Sequence, residues 1–77
     1  MPITNDQEFR TYDLGQAAFI RARGHPLLRT VPNDGRRVAF VFPASAAPTA
    51  DGFFRDEPVG SWAFWNAIKA LKAIVNH

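Results

Sequence analysis

The side chains that could carry out catalysis or hold a metal are few in this sequence and lie far apart. The histidines are His25 and His77, and there is no cysteine. Acid–base and nucleophilic chemistry need titratable groups within hydrogen-bonding reach of one another, and a metal needs several ligands at close spacing. His25 follows a predicted helix end and is expected to close that turn. The sequence therefore predicts a non-enzymatic protein with no cofactor, no metal and no small-molecule ligand.

Arginines are the second group that could do chemistry, because guanidinium groups bind phosphates. A hairpin lying beside the first helix would bring five of them together as a nucleic-acid contact: Arg21, Arg23, Arg29, Arg36 and Arg37. The alternative is that these arginines keep a small hydrophobic protein soluble and protect its strand edges. Seven acidic residues reduce the net charge to +2, which favours this alternative. Nucleic-acid binding is thus the second hypothesis.

Exposed aromatic side chains are the third group, and they favour self-association. Trp62 and Trp65 cannot both point inward if Phe64 and Ile68 do, because neighbouring residues on a helix are about 100° apart. Aromatic side chains left at a surface are enriched in protein interfaces. The alternative is that the Phe53-Phe54 pair folds back and covers the indoles. We expect a homodimer, with an interface that includes Trp62, Trp65, Ala39 and Val41.

Two helices are needed to position these groups. Asp13 is predicted to cap a helix that starts at Leu14, with the Gln16 side chain reaching back in a capping box. Gly24 supplies the left-handed residue after the helix, and the proline that follows prevents continuation. Ser61 is predicted to cap a second helix that runs to about Val75, with apolar residues at three- and four-residue spacing.

A β-hairpin is predicted between these helices. Residues 27–31 and 36–42 have strand-like composition, and Pro-Asn-Asp-Gly between them is typical of a tight turn. With a first strand over 9–12, the sequence predicts an α+β fold of order β-α-β-β-α, with a three-stranded sheet in the order 1-3-2 and both helices on one face. Both faces of the third strand are partly apolar, so either the rest of the chain or another copy should cover the second face.

The predicted organisation is a flexible lead-in over residues 1–8 and a single domain over 9–77. An Ala/Pro/Gly-rich stretch without clear periodicity, residues 43–60, is predicted to be a linker with at most one helical turn near 51–55. Nothing in the sequence resembles a signal peptide or a membrane span, so a cytoplasmic protein without a membrane partner is expected.

Several segments of the sequence carry a family resemblance: residues 9–14, 24–28, 38–42, and the aromatic-aromatic-Asn-Ala pattern of 64–67. The chain resembles a family of short bacterial and phage-associated domains of unknown function. Members of that family tend to carry an acidic helical segment after the Phe-rich strand, whereas residues 43–52 are rich in Ala and Pro. The resemblance implies the α+β fold and a phage or mobile-element association, and it implies no activity.

Overall fold

The computed structural model describes residues 8–32 and 38–75. Within these ranges the elements follow the order strand, helix, strand, strand, helix, helix. They are β1 (Glu8–Thr11), α1 (Leu14–Ala22), β2 (Arg29–Pro32), β3 (Val38–Pro43), α2 (Ala47–Phe54) and α3 (Ser61–Val75). Glu8, which the sequence assigns to the lead-in, is the first residue of β1. The predicted hairpin turn at 33–35 lies outside the described residues.

In the described part of the chain, the sheet has three antiparallel strands in the order β1-β3-β2, which confirms the predicted α+β topology. The register divides the side chains between two faces. Thr11 and Thr30 both pair with Phe40, and Phe40 belongs to the core beneath the helices. Arg10 and Arg29 both pair with Val41, which therefore lies on the opposite, outer face.

Helix α1 begins and ends where the sequence predicts. The Asp13 carboxylate accepts a hydrogen bond from the Gln16 backbone N–H at 3.0 Å, which caps the helix. Gly24 has a φ of 102°, and the His25 N–H donates to the Ile20 carbonyl, as in a Schellman ending. The capping box is wrong: the Gln16 side chain donates instead to the Ala50 carbonyl of α2 at 3.0 Å.

The linker prediction is wrong over residues 44–50, and the helical turn predicted near 51–55 belongs to a longer helix. A short 3₁₀ turn, Ala44–Ala46, leads directly into α2. Pro48 lies in the first turn of α2, where its missing N–H costs no hydrogen bond. Ala46 and Ala50 are fully buried, so tertiary packing stabilises a helix that lacks a clear apolar period of its own.

The core lies between the inner face of the sheet and the helices. Its buried members are small alanines from every helix together with a few large side chains: Ile20, Phe40, Phe42 and Leu71. The alanines allow the helices to approach closely, and at Gly15 a Cβ would lie 3.0 Å from the Phe53 ring. No described helix is long and apolar enough to cross a membrane.

Candidate interaction surface

Helix α3 packs on the core through one side and leaves the other in water. Over its 15 residues, Ala67 and Leu71 are buried, and Phe64 and Ile68 are partly buried against the core. Trp62 is 71% exposed and Trp65 is 53% exposed. Residues at positions i, i+3, i+7 and i+10 of a helix form one stripe, so Lys69 and Lys72 share the exposed side with these indoles. We call Trp62, Trp65, Lys69 and Lys72 the tryptophan face.

Lys69 lies over both indoles. Its Nζ is 5.6 Å from the ring centroid of Trp62 and 5.7 Å from that of Trp65. These distances are within the range of cation–π attraction, which contributes about 0.5–1 kcal/mol at an exposed site. Sequence reasoning overlooked Lys69, although its spacing of four residues from Trp65 and seven from Trp62 could have identified it.

The phenylalanines of α2 do not cover the indoles. The Phe53 ring packs against Phe19 of α1, with centroids 5.9 Å apart. Phe54 lies edge-on to Phe53 and is itself 71% exposed. Of the two readings that the sequence left open, the structure shows the one with exposed tryptophans.

Ala39 and Val41, the other residues of the predicted interface, are 1% and 0% exposed in the single chain. Glu8 of β1 and Arg29 of β2 meet across the central strand on this outer face, with N–O distances of 2.7 and 2.9 Å. The chain itself therefore covers these two residues of the second face. In this conformation Ala39 and Val41 offer no surface to a second copy.

The same ion pair changes the ionisation of its members. The hydrogen bonds from Arg29 hold the pKa of the Glu8 carboxyl below its ordinary value, against a smaller opposing effect of desolvation. They also raise the pKa of the Arg29 guanidinium. Arg29 is thus engaged by a carboxylate of its own chain.

The arginines predicted to bind nucleic acid are not brought together in the described residues. Arg21 lies beside α3, and Arg29 is on the outer face of the sheet. Arg23 is turned toward the loop before α3, where its guanidinium donates to the Pro58 carbonyl at 2.7 Å and lies 5.3 Å from the Phe19 ring centroid. Arg36 and Arg37 lie outside the described residues.

An open groove of about 310 Å³ runs between α1 and α3, next to the tryptophan face. Its walls are formed mainly by alanines, with one cation and one amide: Ala22, Ala63, Ala67, Ala70, Arg21 and Asn66. An asparagine side chain within a helix often bonds a nearby backbone group. Among the described residues, however, no group makes a hydrogen bond with its side chain or with that of Arg21.

His25 has a structural contact. Its Nε2 lies 2.9 Å from the Thr49 hydroxyl, which ties the end of α1 to α2. Over residues 8–32 and 38–75, no three acidic or histidine side chains cluster in a way that would hold a metal ion.

Comparison with known proteins finds no match among protein-family models, curated proteins or solved structures. The resemblance to the phage-associated family therefore stays a prediction.

Proposed function

We propose that this domain is a non-enzymatic interaction module that docks onto another polypeptide through the tryptophan face of α3. We retain its cytoplasmic location and its phage or mobile-element association as predictions.

The observation that carries the proposal is the exposure of Trp62 and Trp65 on a helix that is already folded onto the core. Burying a mostly exposed indole in a partner contributes roughly 2–3 kcal/mol. Tryptophan is also among the residues that dominate binding energy in protein interfaces. Because both indoles lie on one stripe of a regular helix, they present a rigid surface that loses little conformational entropy on binding.

Peptide selection tests the proposal. A random peptide display library is selected on the wild-type domain, on a Trp62→Ala/Trp65→Ala variant and on Phe54→Ala. Phe54 is the matched control because its exposure, 71%, equals that of Trp62, yet it lies at the end of α2. We expect the wild type and Phe54→Ala to enrich the same peptides and the double variant to lose them. Enrichment that does not depend on the tryptophans would exclude this face as the binding surface.

The sequence predicts that the polypeptide bound is a second copy of this chain, and that homodimer stays a prediction. Sedimentation velocity over the micromolar to millimolar range tests it. A dimer built on the tryptophan face would dissociate in the Trp62→Ala/Trp65→Ala variant and persist in Phe54→Ala. A single-protomer mass at every concentration would remove it.

Nucleic-acid binding stays a prediction. Two arginines of its patch have other partners, because Arg29 is paired with Glu8 and Arg23 is bound to the Pro58 carbonyl. Exposed indoles beside lysines are nevertheless suited to stacking on bases. Binding to single-stranded nucleic acid is for this reason an outcome that the experiment of the next subsection has to distinguish.

A further inference from the structure

The exposed side of α3 carries positive charge with no acidic residue to balance it. The helix contains Lys69 and Lys72 and no aspartate or glutamate. Arg21 adds a third cation across the groove. Among the described residues, no carboxylate forms an ion pair with any of the three. This surface is therefore cationic as well as aromatic.

Two acidic residues near the ends of α1 and α2 have other partners, while Asp51 and Asp56 form no ion pair with any described residue. Glu57, which precedes α3, is bound by Arg55 at 3.1 Å and lies 3.9 Å from Arg23. Asp13 is occupied as the cap of α1. Neither carboxylate neutralises the tryptophan face, so the charge on that face remains available to a partner.

We infer that the partner of this domain is an acidic polypeptide segment, in which carboxylates alternate with apolar side chains. The inference rests on the proposed function and specifies the chemistry of the polypeptide bound. A second copy would oppose two surfaces of the same sign, with four lysines and no carboxylate from the paired helices. An acidic segment instead supplies the missing charge.

The positions of the side chains suggest how such a segment binds. In the free domain, the Lys69 ammonium group makes a weak, solvent-exposed cation–π contact with both indoles. A carboxylate of the bound segment can therefore pair with this ammonium group and move it off the rings. The uncovered indoles then bury an apolar side chain of the segment. Arg21 and Asn66, at the groove, have hydrogen-bonding capacity left for a second carboxylate or a peptide carbonyl.

The experiment starts from the peptides selected on the wild-type domain and measures their charge and affinity. We expect the tryptophan-dependent peptides to be net negative, and their affinity to fall as salt is raised. Lys69→Gln should weaken them about two- to fivefold, the effect of one exposed ion pair. Arg10→Gln is the matched control, because it removes the same charge from the outer face of the sheet. Trp62→Ala should weaken them by about 30-fold, as a hot-spot residue does.

The outcomes separate the two proposals. Tryptophan-dependent peptides that are neutral or basic, or that bind Lys69→Gln and Arg10→Gln equally, would overturn the acidic partner and leave the interaction module in place. A dimer that forms through the same face would do likewise. Absence of any tryptophan-dependent peptide would remove both. A single-stranded oligonucleotide that quenches the tryptophans at physiological salt, when no acidic peptide does, would replace the polypeptide with nucleic acid.

Discussion

At the end of α1 and within α3, a cation lies over an aromatic ring four residues earlier, and tertiary packing gives the two pairs different roles. Arg23, the residue after α1, lies 5.3 Å from the Phe19 centroid, Phe19 is 2% exposed, and the arginine is also bound to the Pro58 carbonyl. In α3, Lys69 lies 5.7 Å from the Trp65 centroid, and the tryptophan is 53% exposed. The first pair contributes to the stability of the fold, whereas the second is available for binding.

The largest expected difference between the two helices is in the free energy of unfolding that is lost when Phe19 or Trp65 is removed. Phe19→Ala should lower the free energy of unfolding by about 3–5 kcal/mol, because it leaves a cavity against Phe53. Trp65→Ala should lower it by less than about 1 kcal/mol, since most of the indole is already in water. Urea denaturation followed by circular dichroism measures both.

If Phe19→Ala fails to fold, Phe19→Leu gives a measurable intermediate loss. Equal losses in the free energy of unfolding for Phe19→Leu and Trp65→Ala would show instead that the Trp65 ring contributes as much to the fold as the Phe19 ring.

The amide side chains of Gln16 in α1 and Asn66 in α3 provide the next test. Gln16→Ala should cost about 1–3 kcal/mol, because it removes a buried donor to the Ala50 carbonyl. Asn66→Ala should leave stability unchanged or raise it slightly, since alanine is the better helix former. The midpoints of thermal unfolding compare the two variants directly. A loss for Asn66→Ala as large as that for Gln16→Ala would mean that Asn66 anchors the fold.

Substituting alanine for the glycines next to the helix ends should have a smaller effect on the free energy of unfolding. Gly24→Ala should cost about 1 kcal/mol through backbone strain alone, because φ is 102° and no atom lies within 4 Å of the added Cβ. Gly60→Ala, before α3, should cost about 0.5 kcal/mol, since glycine is a better N-cap residue than alanine and the added Cβ would meet Ala63 at an ordinary 3.9 Å. The same denaturation series measures both variants, and equal effects would argue against the strained ending of α1.

The smallest expected effect belongs to the Glu8–Arg29 pair, which is outside both helices. The folded state lowers the pKa of Glu8 below its ordinary value of 4.5. The pair therefore stabilises the fold above that pH and loses its contribution as the pH falls through the lowered pKa. We expect the stability difference between the wild type and Arg29→Gln to shrink over this acidic window and with added salt. A difference independent of pH would show that Arg29 acts by covering Val41.

Local sequence was enough to predict the ends of α1 and the span of α3, because caps, a glycine stop and apolar spacing act within a few residues. It also predicted the sheet order, since short connections and handedness leave few topologies. The sequence does not predict the full length of α2, because the burial of Ala46 and Ala50 stabilises that helix and burial depends on residues distant in the chain. The contact of Gln16 with Ala50 was missed for the same reason.

The tryptophans were predicted as interface residues from helix geometry alone, but their surroundings depended on the fold. The sequence could not decide whether Phe54 would cover the indoles, or whether Ala39 and Val41 would be covered by this chain or by another. Only the packing of α2 against Phe19, and the crossing of Glu8 and Arg29 over β3, decided both questions. Spacing along a chain determines which side chains share a face, whereas contacts between distant segments determine which faces remain in water.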